Sequence, residues 1–278
     1  MLHNTGSQRR TAPLGAMRRY LTLLGIQLRA SALLALQYRL DFALDAAMSL
    51  FWTGSALVPL VVLFGQRTSV AGWTWPEALL VVAWFTLLKG VLDGAVQPAL
   101  TNVVEHIRKG TLDFLLLKPV DAQFMVSTSR FELYRGSDVF GGLVLLAWAL
   151  HRLGRWPTVG GVAMAAVLLL GAVVILYSIW ILVVSLAFFV VKVDNLSYLF
   201  SSIYDAARWP ASIFRGALAF IFTFVIPLAL MTTYPALALL GRLSLGRALG
   251  ALASAAFFAI VARRVWLFAI GHYTSAGG

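Results

Sequence analysis

Residues 156–191 contain no charged side chain. A run of that length exceeds the roughly 20 apolar residues that carry a helix across a bilayer, and far exceeds an average element of a soluble domain, about a dozen residues or fewer. Two further uncharged stretches reach spanning length: 46–66, between Asp45 and Arg67, and 216–241, between Arg215 and Arg242. These windows make the chain a membrane protein. Composition agrees, since 12% charged residues is about half the share that keeps a soluble domain in water.

Three weaker windows complete the count. Residues 77–104 begin at Glu77 and otherwise carry only Lys89 and Asp93 as charges, one helical turn apart near the middle. The uncharged stretches 139–151 and 248–262 are short and cross only if flanking charges snorkel to the headgroups. The reading is an all-α polytopic membrane protein with six transmembrane helices at about 43–66, 77–104, 136–153, 161–191, 212–234 and 246–264. All belong to a single domain, 17–278, behind a flexible N-terminal tail, 1–16. Short cytoplasmic loops collect Lys and Arg. With both termini cytoplasmic, sixteen basic residues fall inside and five outside, with Lys89 in the membrane. Dropping 136–153 would carry Lys192, Arg208 and Arg215 outside and reverse that bias. The net charge of +11 therefore points to anionic lipid headgroups rather than nucleic acid. Residues 1–16 show no apolar core ahead of a small-residue cleavage site, so no cleaved signal peptide is expected.

Met17, Tyr20, Leu21, Leu24 and Leu28 share one helical face, with Arg18, Thr22 and Arg29 on another. An amphipathic interfacial helix is expected over 17–40, serving as a lipid anchor or as a dock for a partner. Residues 105–135 form the largest internal cytoplasmic piece, and Gly110 and Pro119 bracket its short apolar run, Phe114 to Leu117. Such a run must bury itself against lipid, the bundle or another protein. Pro227 and Pro235 interrupt the fifth region, which is expected to narrow into one span and a short broken piece.

Chemistry is mostly excluded. Cysteine is absent, the dipeptide Gly-Lys of a phosphate-binding loop does not occur, and neither GxSxG nor HExxH is present. The four histidines, His3, His106, His151 and His272, lie in separate segments, so no metal site, no catalytic residue and no cofactor held by this chain are expected. Lys89 and Asp93 are the unusual pair, because a lone charge at the bilayer centre costs at least about 3 kcal/mol. Their spacing of four permits pairing on one face, as a proton relay of a secondary transporter or as an internal ion pair facing the bundle. Gly90 and Gly94 add small-xxx-small spacing for close helix approach.

Three stretches resemble the six-span permease subunits of ATP-binding-cassette (ABC) exporters, type 2 class, in particular the viologen-exporter-like branch. IRKGTLDFLLLKPVDAQF at 107–124 matches through Gly110, Leu112, Asp113, Leu116, Lys118 and Pro119. The fifth region matches through Pro210, Phe214, Ile226, Pro227, Pro235 and Ala236, and the C-terminus through Trp266, Gly271, Tyr273, Ser275 and Ala276. The resemblance implies a bacterial inner-membrane permease pairing with a second six-span permease, identical or homologous. It further implies two copies of a separate ATPase subunit that carries the ATP and Mg²⁺. It places the ATPase-coupling surface on the N-terminal helix, with Arg18 and Arg19, and on Glu105, Arg108, Lys109, Asp113, Leu116, Lys118 and Pro119. It runs the substrate path along spans one, two and five, which here suggests Phe51, Trp52, Trp84, Phe85, Phe222 and Phe224. Substrate identity stays open.

Overall fold

The computed structural model describes residues 13–189, 202, 204–217, 222 and 227–273. The chain begins with α1 (Pro13–Gln37), which turns at Tyr38 into α2 (Arg39–Ser55) and then α3 (Val58–Gln66). Pro59 explains the second break: it has no N–H to offer the Ser55 carbonyl four residues back. A two-residue hairpin follows, β1 (Ser69–Val70) antiparallel to β2 (Trp73–Thr74), with Ser69 opposite Thr74. Ala71 and Gly72 at its tip both have positive φ, as a type I′ turn requires.

The long central helix starts at α4 (Trp75–Val91), passes through a π turn at Leu92–Val96 and continues as α5 (Gln97–Arg108). Its first turn is capped by Glu77, whose carboxylate accepts the Thr74 amide at 3.0 Å. Pro98 lacks the N–H that would reach the Gly94 carbonyl, and that carbonyl instead accepts the Glu132 amide at 2.8 Å. The proline that breaks the ladder thus ties the helix to the segment leading into α8. Gly110 closes α5 at φ +67°, a conformation that costs other residues strain.

Two short helices, α6 (Asp113–Leu116) and α7 (Ala122–Ser127), form the connection to α8 (Gly136–Leu153). Then come α9 (Val159–Ser185), short turns through 206–213, a π turn at Ala229–Thr233, α10 (Tyr234–Leu239) and α11 (Leu245–Gly271). The layers run α2, α8, α4, then α10 with its π turn, then α9 and α11. Helix α4 is enclosed, buried at every position from Glu77 to Leu88. Aliphatic burial drives little association in lipid, where hydrocarbon surrounds everything, so close backbone approach carries the packing. A Cβ on Gly142 of α8 would lie 2.8 Å from the Leu87 amide, and one on Gly90 2.9 Å from the Val139 amide. The small-residue spacing at Gly90 and Gly94 thus marks the side of the central helix that meets α8 and its lead-in, Gly94 facing Arg135.

The fold is an all-α polytopic membrane protein with six helices long and apolar enough to cross a bilayer. Five lie where spans one to four and six are expected, although span one is two helices and span six runs on to Gly271. The sixth is Met17–Gln37, where an interfacial helix is expected. Its arginines are spread widely enough for an apolar window of spanning length to survive. Of the expected fifth span, 212–234, residues 218–221 and 223–226 lie outside the described residues. Within the described residues the span contributes a single turn at Ala211–Ile213 and the short apolar helix Ala229–Leu239, consistent with the two prolines that interrupt it. Helix α1 also begins at Pro13, inside the stretch expected as a tail; residues 1–12 lie outside the described residues. Leu33 and Leu36 of α1, Leu44 and Phe51 of α2, and Phe257 and Ile260 of α11 stay exposed, faces that suit lipid or a partner.

The close crossing of α4 and α8 makes a direct prediction. Gly142→Ala should destabilise the purified protein by about 1–3 kcal/mol through overpacking against Leu87, read as a lower thermal unfolding midpoint in detergent. Gly250→Ala, where a Cβ meets nothing within 4 Å, should leave the midpoint unchanged or slightly raised.

Candidate functional site

The Lys89–Asp93 pair sits at the end of α4, where the helix enters its π turn. Lys89 Nζ lies 3.3 Å from Asp93 Oδ2 and 3.7 Å from Asp205 Oδ1. Arg135, just before α8, stands 3.7 Å from the same Asp93 oxygen and 3.3 Å from Asp138 Oδ2. Asp138 is buried and accepts hydroxyl hydrogen bonds from Ser49 and Thr53 of α2. Arg208 pairs with Asp205 at 3.2 Å and lies over the Phe85 ring, 5.3 Å from its centroid. Three bases and three acids from four parts of the chain thus form one connected set. A charge among apolar helices is tolerated when it is paired and hydrogen-bonded.

This set borders a cavity of about 420 Å³, whose walls include Asp45, Trp52, Thr86, Phe85, Lys89 and Arg135. A second, larger hollow of about 970 Å³ opens toward the Gly110 end of the bundle and is lined by Asp93, Thr101, Arg108, Lys109 and Arg130, together with Lys89 and Arg135 again.

The segment expected to couple to a partner is clamped to the bundle at that same end. Asp121 caps α7 by accepting the Phe124 amide at 3.1 Å. Arg263 of α11 donates to both Asp121 carboxylate oxygens, at 2.6 and 3.3 Å, and to Gln123 Oε1 at 2.6 Å. Gln123 in turn donates to the Tyr177 hydroxyl of α9 at 2.9 Å, and Ser127 bonds the same hydroxyl at 2.7 Å. Tyr20 of α1 meets the Phe124 ring edge-on at 4.7 Å. Burial opposes ionisation of Asp121, but the Arg263 and Phe124 hydrogen bonds outweigh it and hold the carboxyl below its ordinary value.

Around this clamp the expected coupling residues separate. Leu116 packs on the core, whereas Phe114 and Leu117 are 71% and 81% exposed. Lys118 and Pro119 are exposed beside them, as are Arg18 and Arg19 of α1, and Asp113 is half-buried. Glu105 and Lys109 pair at 2.6 Å on the surface, and Arg108 faces the larger hollow. Of the expected path residues, Trp52 and Phe85 line the smaller cavity. Phe51 points outward, Trp84 and Phe222 are packed in the cores, and Phe224 lies outside the described residues. Among the described residues no three His, Cys, Asp or Glu side chains gather as a metal site.

Sequence reasoning singled out Lys89 and Asp93 and missed Arg135, Asp138, Asp205, Arg208 and Arg263. A signal existed for four of them. Arg135 with Asp138 and Asp205 with Arg208 repeat, at spacing three, the acid–base pairing of Lys89 with Asp93.

A family model described as ABC-2 family transporter protein matches residues 50–277 of this chain. No curated protein and no solved structure matches it.

The Asp121 clamp carries a pH dependence with a defined sign. A depressed carboxyl stabilises the fold above its unfolded value, and that contribution is lost as pH falls through the lowered folded value. Thermal unfolding midpoints measured across the acid range should fall less steeply for Asp121→Asn than for the native chain.

Proposed function

This chain belongs to the ABC-2 family of transporter proteins, and from that premise we propose that it is the permease of an ATP-driven exporter of the viologen-exporter-like branch. It spans the bacterial inner membrane with both termini in the cytoplasm and pairs with a second six-span permease. Two copies of a separate ATPase bind the ATP and Mg²⁺. The observation that carries this reading is the 105–124 segment, which exposes Phe114, Leu117 and Lys118 while its far end is fixed to α9 and α11. A surface that is apolar at its tip and rigidly anchored behind suits a partner that must pull on the bundle.

In this reading ATP binding closes the ATPase pair against the segment and against the Arg18–Arg19 end of α1. Glu105, Arg108, Lys109, Asp113, Leu116 and Pro119 belong to the same contact region. The displacement passes through Asp121 and Arg263 to α11, and through Gln123 and Tyr177 to α9. The helices then rock as rigid bodies between inward and outward access. Trp52 and Phe85 line the path beside Lys89. A second reading draws on the 3.3 Å Lys89–Asp93 contact: a gradient-driven carrier that uses the pair as a proton relay and needs no ATPase.

Purification of the tagged chain in mild detergent should recover a protein with a nucleotide-binding loop and vanadate-sensitive ATP hydrolysis. Recovery of the chain alone, with transport that follows a proton gradient and is abolished by Asp93→Asn, would favour the carrier. Within the exporter reading, Lys118→Glu should leave folding intact while hydrolysis loses its link to transport. Transport unaltered by this change would sink the docking assignment.

A further inference from the structure

Lys89 and Arg135 line both hollows, whereas Asp93 faces only the larger one and Asp138 and Asp205 only the smaller. Along the line from the Gly110 end inward, the charges therefore alternate. Asp93 comes first, then the two cations side by side, then Asp205 behind Lys89 and Asp138 behind Arg135. Each cation is held between one acid on the vestibule side and one on the inner side. Asp93 is the single anion that both share, and it neutralises the repulsion between them.

We propose that Lys89, Asp93 and Arg135 form a closed ionic gate between the vestibule at the Gly110 end and the inner cavity beside Trp52 and Phe85. The proposal rests on the permease reading, since a gate needs something to pass.

Three further observations fit this role. The ion pairs made by Lys89 and Arg135 are 3.3–3.7 Å, longer than the 2.6 Å of the Arg263–Asp121 clamp and the 2.7 Å of Arg242–Glu77 at the opposite end. Ion pairs at such lengths hold less tightly than charge-assisted hydrogen bonds of about 2.8 Å, so the bundle has firm ties at both ends and a looser one between. The pieces of the gate come from separate parts of the chain: Lys89 from α4, Asp93 from the π turn, Arg135 from the lead-in to α8 and Asp205 from the 204–208 turn. A small relative shift of α8 or of the turn separates them. The Gly94–Glu132 hydrogen bond, with the Gly94 carbonyl freed by Pro98, already couples the Asp93 turn to the segment between α7 and Arg135. Movement of that segment therefore acts on both sides of the gate at once.

The chain has no cysteine, so a single introduced thiol reports access. Thr86→Cys places one on the inner cavity wall one turn before Lys89, and Thr101→Cys places one in the vestibule. Both are labelled in the purified full chain with a water-soluble cationic methanethiosulfonate. Thr86 is buried and Thr101 exposed, so each position is compared with itself between the native and Asp93→Asn backgrounds, starting from slow labelling at 86 and fast labelling at 101. A minor open state is typically about 0.1–10% populated, so adding Asp93→Asn should speed labelling at 86 roughly tenfold or more and leave 101 unchanged. Equal labelling at 86 and 101 with the native gate overturns the proposal, as does unchanged slow labelling at 86 in the Asp93→Asn background. If Asp93→Asn perturbs the fold, seen as a changed rate at 101, Lys89→Gln is judged by the same two criteria. No ATPase or transport enters this assay. A failed labelling result removes the gate and leaves the permease reading standing, whereas absence of a copurifying ATPase removes the permease reading, and with it the gate's stated role, whatever the labelling rates.

Discussion

A lysine and an aspartate in the middle of a mostly apolar helix impose a condition that the rest of the bundle meets. Neither ion can be left to hydrocarbon, so the helix that carries them must lie inside, and its neighbours must bring compensating charge to the same level. The structure does both. Helix α4 is buried along most of its length, and the surrounding elements supply Arg135, Asp138, Asp205 and Arg208, with Ser49 and Thr53 completing the hydrogen bonding of Asp138.

Backbone groups obey the same accounting. At membrane depth each broken helical hydrogen bond must be replaced from elsewhere in the protein. Pro98 frees the Gly94 carbonyl, and the Glu132 amide takes it up. Near Pro235, Thr232 donates to the Ala207 carbonyl at 2.9 Å, and Thr233 accepts the Ala211 amide at 3.1 Å. Each helix break thus becomes a tie between distant segments. The breaks at Pro59 and Pro98 lie beside the two hollows.

Part of this was legible in the sequence, and part could not be. Uncharged runs give the long helices because hydropathy is a local property, and Pro227 and Pro235 warn that the fifth region breaks. Gly90 and Gly94 announce a close helix crossing, although nothing in their spacing names α8 as the partner. Residues 17–37 fit both an interfacial and a spanning helix. An arginine-bearing face and an apolar window of spanning length coexist there, and composition alone weighs both. Arg263 was read only as a basic residue that helps orient the last span, because its partner Asp121 lies 142 positions away.

The sequence by itself determined that this chain is a bundle of membrane helices, that it carries no nucleotide-binding loop or thiol chemistry, and that an intramembrane Lys–Asp pair demands enclosure. These follow from residue type and short-range spacing. Tertiary structure alone decided that the pair belongs to a six-membered ionic set between two hollows, and that Asp121 and Gln123 are tied to α11 and α9. Those contacts join residues far apart along the chain, and a charge's partner across a bundle is fixed by how helices pack, which no local pattern encodes.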